Sequence, residues 1–149
     1  NAILKAKNAF SKTNISSVGD DSGLIVPAIN NEPGLYSARY AGVNATDSDN
    51  RNKLISKLKD RKLESTYAYF FCCIVAVGIK GQNEIIVCDG RIEGEVRTIE
   101  RGEKGFGYDP MFYPRGYSES FAELSSLEKN KISHRGQALK KLMDKLNKT

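Results

Sequence analysis

Two adjacent carboxylates, Asp20 and Asp21, lie between glycines in the segment GDDSGL, residues 19–24. Adjacent carboxylates are good ligands for a hard cation, and Mg²⁺ commonly takes one or two protein carboxylates together with phosphate oxygens. In an ideal strand the two side chains point to opposite faces, but a turn at Ser22 and Gly23 would bring both to one site. Asp and Gly are also common in ordinary turns. The segment alone therefore favours a magnesium site and an Asp-rich turn about equally.

A second candidate is the glycine-rich segment GEKGFGYDP, residues 102–110. Its glycine spacing does not match the dinucleotide-binding fingerprint. Glycines still allow a ligand to approach the backbone closely, so Phe106, between Gly105 and Gly107, can offer a bare ring face to a nucleobase. Stacking of this kind is worth about 1–3 kcal/mol per base. The alternative, which this segment alone favours, is a hairpin whose phenylalanine fills the core.

The segment KNKISHRGQ, residues 129–137, places basic side chains at the start of a predicted helix. Ser133 is the predicted N-cap, so His134 and Arg135 fall in the first turn, where the helix dipole disfavours positive charge. A sequence that breaks a local rule often does so for a ligand, and a guanidinium suits a keto oxygen or a phosphate. A lone histidine is more often structural. Together, the three segments contain the groups of a nucleotide site.

The elements that must position these residues alternate between helix and strand patterns. The predicted helices are NAILKAKNAFSK, TDSDNRNKLISKLKD with Thr46 or Ser48 as its cap, a capped helix within SESFAELSSLEKNK, and a last helix from about Ser133. The predicted strands are the two halves of SSVGDDSGLIV with the acids at the turn between them, YAYFFCCIVAVGI in the centre of the sheet, and IIVCDGRIEGEVRTI with bends at Gly90 and Gly94. We therefore expect one α/β domain with a mixed sheet and helices packed against it.

Three connections complete this prediction. PGLYSARYAG is a Pro-Gly loop that leads into alternating Tyr36, Ala38 and Tyr40, KGQNE is a turn, and RGEKGFGYDPMFYP is a glycine-rich loop. The two tyrosines are candidates for lining a cleft, although alternating tyrosines are more often packed strand residues.

The composition limits the class of protein. The chain has 149 residues, of which 40% are hydrophobic and 28% charged, which suits one globular domain. No apolar run approaches the roughly 20 residues of a membrane span. Cys72, Cys73 and Cys88 do not form a disulfide or zinc pattern, so we expect core cysteines and a reducing, cytoplasmic compartment. The net charge of +5 suits nucleic acid or an anionic small substrate, but the lysines are spread along predicted helix faces.

Five segments, in order, resemble the inosine triphosphate pyrophosphatases over essentially the whole chain: NAILKAKNA, DDSGL, PGLYSARYAG, GFGYDP and SHRGQAL. The resemblance implies an elongated mixed α/β fold with two lobes around a central cleft, usually as a homodimer. It implies Mg-dependent hydrolysis of ITP, dITP, XTP or dXTP to the monophosphate and pyrophosphate, which keeps these nucleotides out of nucleic acid. It implies a purine nucleoside triphosphate as the substrate, and neither a membrane nor a stable nucleic-acid partner.

The resemblance also implies roles for individual residues. Asp21 is implied as the catalytic proton acceptor and a metal ligand, with Asp20 as a second metal ligand. The implied substrate-binding residues are Lys5, which faces the phosphates, Ser22, Phe106, Gly107, Tyr108, Asp109, Lys129, His134 and Arg135. A donor such as Arg135 would satisfy the C6 keto group of hypoxanthine or xanthine and stay unpaired against adenine, a mismatch that can discriminate by roughly 10⁴ or more.

The chain departs from the family pattern at its start. The family opens with a strand and a phosphate-binding loop of the pattern Thr/Ser-Gly-Asn-x-x-Lys, whereas this sequence begins with Asn1 inside what would be the next helix. We therefore expect residues 1–149 to form an inosine triphosphate pyrophosphatase-like domain without its amino-terminal segment, poorly active or inactive alone. Two alternatives stay open. One is a basic nucleic-acid-binding domain, whose binding would weaken with salt and need no magnesium. The other is a catalytically inactive protein of the same fold.

Overall fold

The computed structural model describes residues 1–13, 15–79 and 84–148. The helices and strands follow in the order α1 (Ala2–Thr13), β1 (Ser17–Val26), β2 (Glu32–Pro33), α2 (Asp47–Asp60), β3 (Ser65–Val77), β4 (Ile85–Arg97), β5 (Phe112–Pro114), α3 (Ser126–Ile132) and α4 (His134–Asn147). Short 3₁₀ helices lie at Pro27–Ile29, Gly34–Arg39 and Asp109–Met111. The turn predicted at KGQNE falls largely on residues 80–83, outside the described residues. Across the described ranges, no helix has the length and apolar character needed to span a membrane.

The strands form one sheet in the order β2-β1-β3-β4-β5. β3, the apolar run predicted to be central, pairs with β4 along its whole length and with residues 17–25 of β1. All pairings between described strands are antiparallel. The predicted α/β class, with helices against a sheet, is confirmed. The sheet was expected to be mixed, but between the described strands it is antiparallel.

The carboxylate pair lies inside β1, so the prediction of two strands with the acids at a turn is wrong. β1 runs without interruption from Ser17 to Val26, with Asp20 opposite Ile74 and Asp21 opposite Cys73 of β3. Backbone hydrogen bonds to β3 hold this segment of β1 in the sheet. This long-range pairing outweighs the turn preference of Asp and Gly. Among the described strands, β2 pairs only with positions 25 and 26 of β1. Beside the acids, β3 is the one described strand that pairs with β1.

The segment after β2 is the 3₁₀ helix Gly34–Arg39, not the predicted run of alternating residues. Tyr36 is exposed, whereas Tyr40, just beyond the helix, is buried. The side-chain amide of Asn50 in α2 donates to the carbonyl oxygen of Ala38 at 3.2 Å. A contact with α2 thus helps to fix this segment, and the local tyrosine pattern did not predict it.

The predicted helices are confirmed, and their caps explain where they begin. Thr46, not Ser48, caps α2, and it exchanges hydrogen bonds with Asp49 in a capping box. Ser125 and Glu128 form the same arrangement at α3. Ser133 caps α4 by accepting from the backbone of its third residue. These caps are local interactions over three residues, which is why the sequence predicts them.

The core lies where the helices cover the sheet. Its largest cluster includes Leu24, Val26, Leu54, Leu58, Phe70, Val96, Met111, Phe112 and Phe121. A second cluster places Ala138 and Leu142 of α4 against Cys72 and Cys88, and a third places α1 against the end of β3. The prediction that the cysteines are core residues holds for these two, while Cys73 is half-buried.

Gly90 serves a close approach between α4 and β4, where the sequence predicted a bend. A Cβ atom at this position would lie 1.9 Å from the carbonyl oxygen of His134, a distance that no side chain tolerates. The glycine therefore allows the first residue of α4 to sit directly on the sheet.

Candidate functional site

The predicted substrate-binding residues of the carboxyl-terminal half surround one cavity of about 200 Å³, which we call the aromatic cavity. Its predicted members are Phe106, Gly107, Tyr108, Asp109, Lys129, His134 and Arg135. Ser22 of β1, Phe70 of β3 and Asp47 of α2 also border it. Segments that are far apart in the sequence therefore converge on this cavity.

Phe106 presents its ring to the cavity instead of filling the core. Its side chain is 58% exposed, which excludes the core-filling alternative. The ammonium of Lys129 lies 4.6 Å from the ring centroid and the guanidinium carbon of Arg135 lies 5.5 Å from it. These cation–π contacts bias the orientation of the ring and leave ring surface open to a flat ligand.

Asp109 and Tyr108 hold the loop that carries this ring. The carboxylate of Asp109, which is buried, accepts from the backbone N–H of Phe106 at 3.0 Å and from Lys129 Nζ at 2.5 Å. The hydroxyl of Tyr108 donates to the carbonyl oxygen of Ser37 at 2.7 Å, and burial raises the pKa of that hydroxyl. Both residues were predicted to bind substrate, and here the Tyr108 hydroxyl and Oδ2 of Asp109 are engaged within the protein.

His134 lies at the back of the cavity as a neutral imidazole. Its ring stacks on Phe70, with 4.7 Å between centroids and 10° between the planes. Burial, together with the positive charges of Arg135 and Lys129, lowers the pKa of His134 to about 3. Among the described side chains, its Nδ1 is the one buried polar atom without a hydrogen-bond partner. An unpaired buried nitrogen costs free energy, so a hydrogen bond from a ligand to it would be favourable.

A second cavity of about 510 Å³ lies between α1, β1, the 3₁₀ helix Gly34–Arg39 and the start of α4, and we call it the charged cavity. Its charged side chains are Lys5, Asp20, Asp21, Arg39 and Arg135. Lys5 Nζ donates to the backbone oxygen of Asp20 at 2.9 Å and lies 3.8 Å from the Asp21 carboxylate. The three cations and two carboxylates suit an anionic ligand that is accompanied by a metal ion.

Arg135 joins the two cavities. Its Nη2 donates to the Asp20 carboxylate at 3.0 Å and lies 3.4 Å from the Ser22 hydroxyl. Arg135, Ser22 and Ala38 border both cavities. A ligand with a flat ring at one end and an anionic chain at the other can therefore occupy both at once.

The donor set of the charged cavity fits magnesium. Asp20 and Asp21 are successive residues of a continuous strand, so their side chains point to opposite faces of the sheet. The Asp20 carboxylate pairs with Arg135 of α4, whereas the Asp21 carboxylate lies near Lys5 of α1. Within the described ranges, no group of three or more His, Cys, Asp and Glu residues could hold a metal. One protein carboxylate is enough for Mg²⁺ when phosphate oxygens and water complete its octahedron, whereas a structural zinc site needs four protein ligands.

Sequence reasoning missed two residues of α2 that contact the ring-bearing loop. The carboxylate of Asp47 accepts from the backbone N–H of Gly107 at 2.9 Å, and Arg51 Nη1 donates to the Gly107 carbonyl oxygen at 2.8 Å. Acids in the first turn of a helix are common because they complement the helix dipole, so Asp47 looks ordinary in the sequence. Nothing in the neighbouring sequence distinguishes Asp47 or Arg51, because the partner of both side chains is Gly107. This glycine is 60 positions away from Asp47.

The fold and the paired cavities define an α/β protein with a site suited to a nucleotide. The sequence profile of the Ham1 family matches residues 1–145. A dITP/XTP pyrophosphatase of Idiomarina loihiensis is 48% identical over 148 residues, which cover 99% of this chain and 73% of the relative. One of Bacillus anthracis is 45% identical over 146 residues, covering 98% of this chain and 72% of the relative. The chain belongs to the Ham1 family, and the resemblance found in the sequence is confirmed.

Solved structures of the family agree with the fold. A HAM1 protein from Coxiella burnetii superposes with a TM-score of 0.91 at 41% identity, over 99% of this chain and 75% of that chain. The Ham1 protein of Staphylococcus aureus gives a TM-score of 0.87 at 43% identity, over 97% and 73%.

Proposed function

We propose that this protein is a Mg-dependent pyrophosphatase that hydrolyses ITP, dITP, XTP and dXTP to the monophosphate and pyrophosphate. The observation that carries the proposal is the junction of the aromatic and charged cavities at Ser22 and Arg135. Relatives at 45–48% identity are dITP/XTP pyrophosphatases, which supports the same substrates here. By removing these nucleotides, the enzyme would keep them out of nucleic acid.

The purine base is proposed to lie in the aromatic cavity. Phe106 would stack on it, and the exposed ring supports this assignment. Arg135 would donate to the C6 keto oxygen of hypoxanthine or xanthine, and the unpaired Nδ1 of His134 would take a further hydrogen bond. Against adenine, the donor of Arg135 would meet an amino group, and a mismatch of buried polar groups discriminates strongly.

The triphosphate is proposed to lie in the charged cavity. Lys5 would neutralise its oxygens, and Asp21 would accept the proton of the attacking water. Magnesium, held by Asp21 together with phosphate oxygens and water, would supply charge neutralisation and polarisation of the phosphate. The predicted second ligand, Asp20, points to the opposite face of β1 and pairs with Arg135. Phosphoryl transfer depends on such positioning and electrostatics more than on covalent chemistry.

The proposal is tested by measuring pyrophosphate release from ITP and from ATP, with magnesium and with a chelator. Both this chain and a version extended by the amino-terminal segment expected from the resemblance are assayed. We expect magnesium-dependent release that strongly prefers ITP, in the extended form above all. If neither form releases pyrophosphate from ITP, or if ATP is cleaved equally well, the proposal is wrong. Binding to nucleic acid that weakens with salt and needs no magnesium would then favour the alternative function.

A homodimer in the cytoplasm is part of the same proposal. Leu35 and Tyr36, on the 3₁₀ helix after β2, are 70% and 61% exposed, and exposed apolar side chains of this size support an interface. Free cysteines that are buried or half-buried are compatible with a reducing compartment. Light scattering after size exclusion would give twice the mass of one chain for a dimer, and one chain mass would contradict it.

A further inference from the structure

The backbone at Gly107 is held from both sides by one helix. Its N–H donates to Asp47 Oδ2 at 2.9 Å, and its carbonyl oxygen accepts from Arg51 Nη1 at 2.8 Å. Asp47 and Arg51 are four residues apart on α2 and so lie on the same face. Both hydrogen bonds are charge-assisted, which makes them stronger than bonds between neutral groups.

The helix that supplies these side chains is itself fixed. Its first turn is closed by the capping box of Thr46 and Asp49, and its apolar face is anchored in the core by Leu54 and Leu58. The Nε of Arg51 also donates to Glu100, in the segment after β4. The anchors at Gly107 therefore come from a rigid part of the fold.

The loop needs such anchors because of its glycines. Phe106 lies between Gly105 and Gly107, whose φ angles are +75° and +61°, a region that favours glycine. Glycines lose the most conformational freedom on ordering, and a loop that is ordered only when the ligand binds weakens affinity by that entropy. In this structure the backbone of the loop is held while the ring of Phe106 remains exposed.

From this geometry we propose that Asp47 and Arg51 are positioning residues for base recognition: by holding Gly107, they fix the Phe106 ring as a preformed stacking surface. The inference rests on the proposed function, because it assigns the stacking partner to the purine base. Neither side chain needs to touch the base for this effect. Loss of either should therefore weaken base binding and leave the chemistry at Asp21 almost unchanged.

The test compares Asp47→Ala and Arg51→Ala with wild type in the form that hydrolyses ITP. We expect KM for ITP to rise about tenfold, which corresponds to the loss of roughly one charge-assisted hydrogen bond. The value of kcat should stay within about threefold, since an interaction made equally in ground and transition states changes KM alone. Inorganic tripolyphosphate, which has no base, is used as a competitive inhibitor. Its inhibition constant should change less than about twofold. Equal weakening of ITP and tripolyphosphate would overturn the inference, because it would indicate a general structural defect.

Two further variants control for folding. Asp47→Asn keeps an oxygen acceptor for the Gly107 N–H and should restore most of the affinity. Lys57→Ala removes a cation on the same helix that lies 3.8 Å from Glu32 and borders neither cavity, so it should behave as wild type. An Asp47→Asn variant as weak as Asp47→Ala would contradict the positioning role of this bond.

Hydrogen exchange gives a readout that does not depend on activity. In this chain, Asp47→Ala and Arg51→Ala should speed amide exchange in residues 101–111 and leave β3 and β4 protected. Unchanged exchange in this loop would overturn the inference. Absence of ITP hydrolysis by wild type would instead contradict the proposed function, so the two failures are distinguishable.

Discussion

The aromatic cavity and the charged cavity share Arg135 but differ in how their side chains are held. In the aromatic cavity, His134 and Asp109 are only 8% and 3% exposed and are fixed by stacking and hydrogen bonds. In the charged cavity, the side chains of Lys5 and Asp20 are 60% and 49% exposed. Ion pairs between such exposed groups contribute little to stability. The base side is therefore preformed, whereas the side chains on the phosphate side can rearrange around a ligand at small cost.

The largest effect is expected from Asp21→Asn, which removes the proposed proton acceptor of the charged cavity and keeps a side chain of nearly the same shape. We expect kcat for ITP to fall about 10³-fold, the range of general-base catalysis, measured as pyrophosphate release in the active form. Asp89→Asn is the matched control, because Asp89 is an exposed carboxylate that pairs with Lys141 outside both cavities. An Asp21→Asn enzyme with wild-type kcat would show that the reaction does not depend on the Asp21 carboxylate.

Arg135→Lys tests the residue that joins the two cavities. Lysine keeps the charge but not the planar pair of donors, so we expect kcat/KM for ITP to fall about 100-fold, close to 3 kcal/mol, and for ATP to fall much less. The ratio of the two kcat/KM values is the measurement. A parallel loss for both nucleotides would mean that Arg135 acts only on the phosphates.

The buried, neutral His134 predicts a dependence of stability on pH. The unfolded chain takes up this proton below about pH 6.5, whereas the folded state, with a pKa of about 3, does not. Lowering the pH therefore favours unfolding, and between pH 7.5 and pH 5 this single group should cost about 2 kcal/mol. Urea unfolding of wild type and His134→Gln at both pH values measures the effect. Equal pH dependence in both proteins would contradict a neutral, buried histidine.

The smallest effect is expected from changes to Phe106, in the aromatic cavity. Phe106→Ala should raise KM for ITP and for ATP alike by about tenfold, since stacking does not depend on the identity of the purine. Phe106→Tyr keeps the ring and should stay within about threefold of wild type. A change in the ITP-to-ATP preference of Phe106→Ala would show that the ring selects the base and does not merely support it.

The elements that depend on neighbouring residues were predictable from sequence. Thr46 and Ser133 cap their helices as predicted, and the apolar run of β3 is the central strand. The acids of β1 were misplaced because the turn preference of Asp-Asp-Ser-Gly is local, while the ladder to β3 that overrides it pairs Asp20 with a residue more than 50 positions away.

The residues of the candidate site also fall into two groups, those that the sequence analysis identified and those that it missed. Local signals marked Arg135, a cation in the first turn of a helix, as unusual for its position. For the segments of Asp21 and Phe106 they left a structural role open, and the resemblance to the family assigned the functional one. They did not identify Asp47 or Arg51, which look like ordinary charged residues of a helix. Their partner, Gly107, lies across the fold, and a single sequence contains no information on that distance.

The sequence by itself determined which chemical groups are available and which segments are helices or strands, because capping and hydrophobic periodicity act over a few residues. Only the tertiary structure decided that these groups meet. Arg135 donates to Asp20, which is 115 positions away in the sequence. Side chains of α2 likewise bind the backbone of Gly107, next to Phe106. Such contacts form because packing of the core brings distant segments together, and the same packing buries His134 and lowers its pKa.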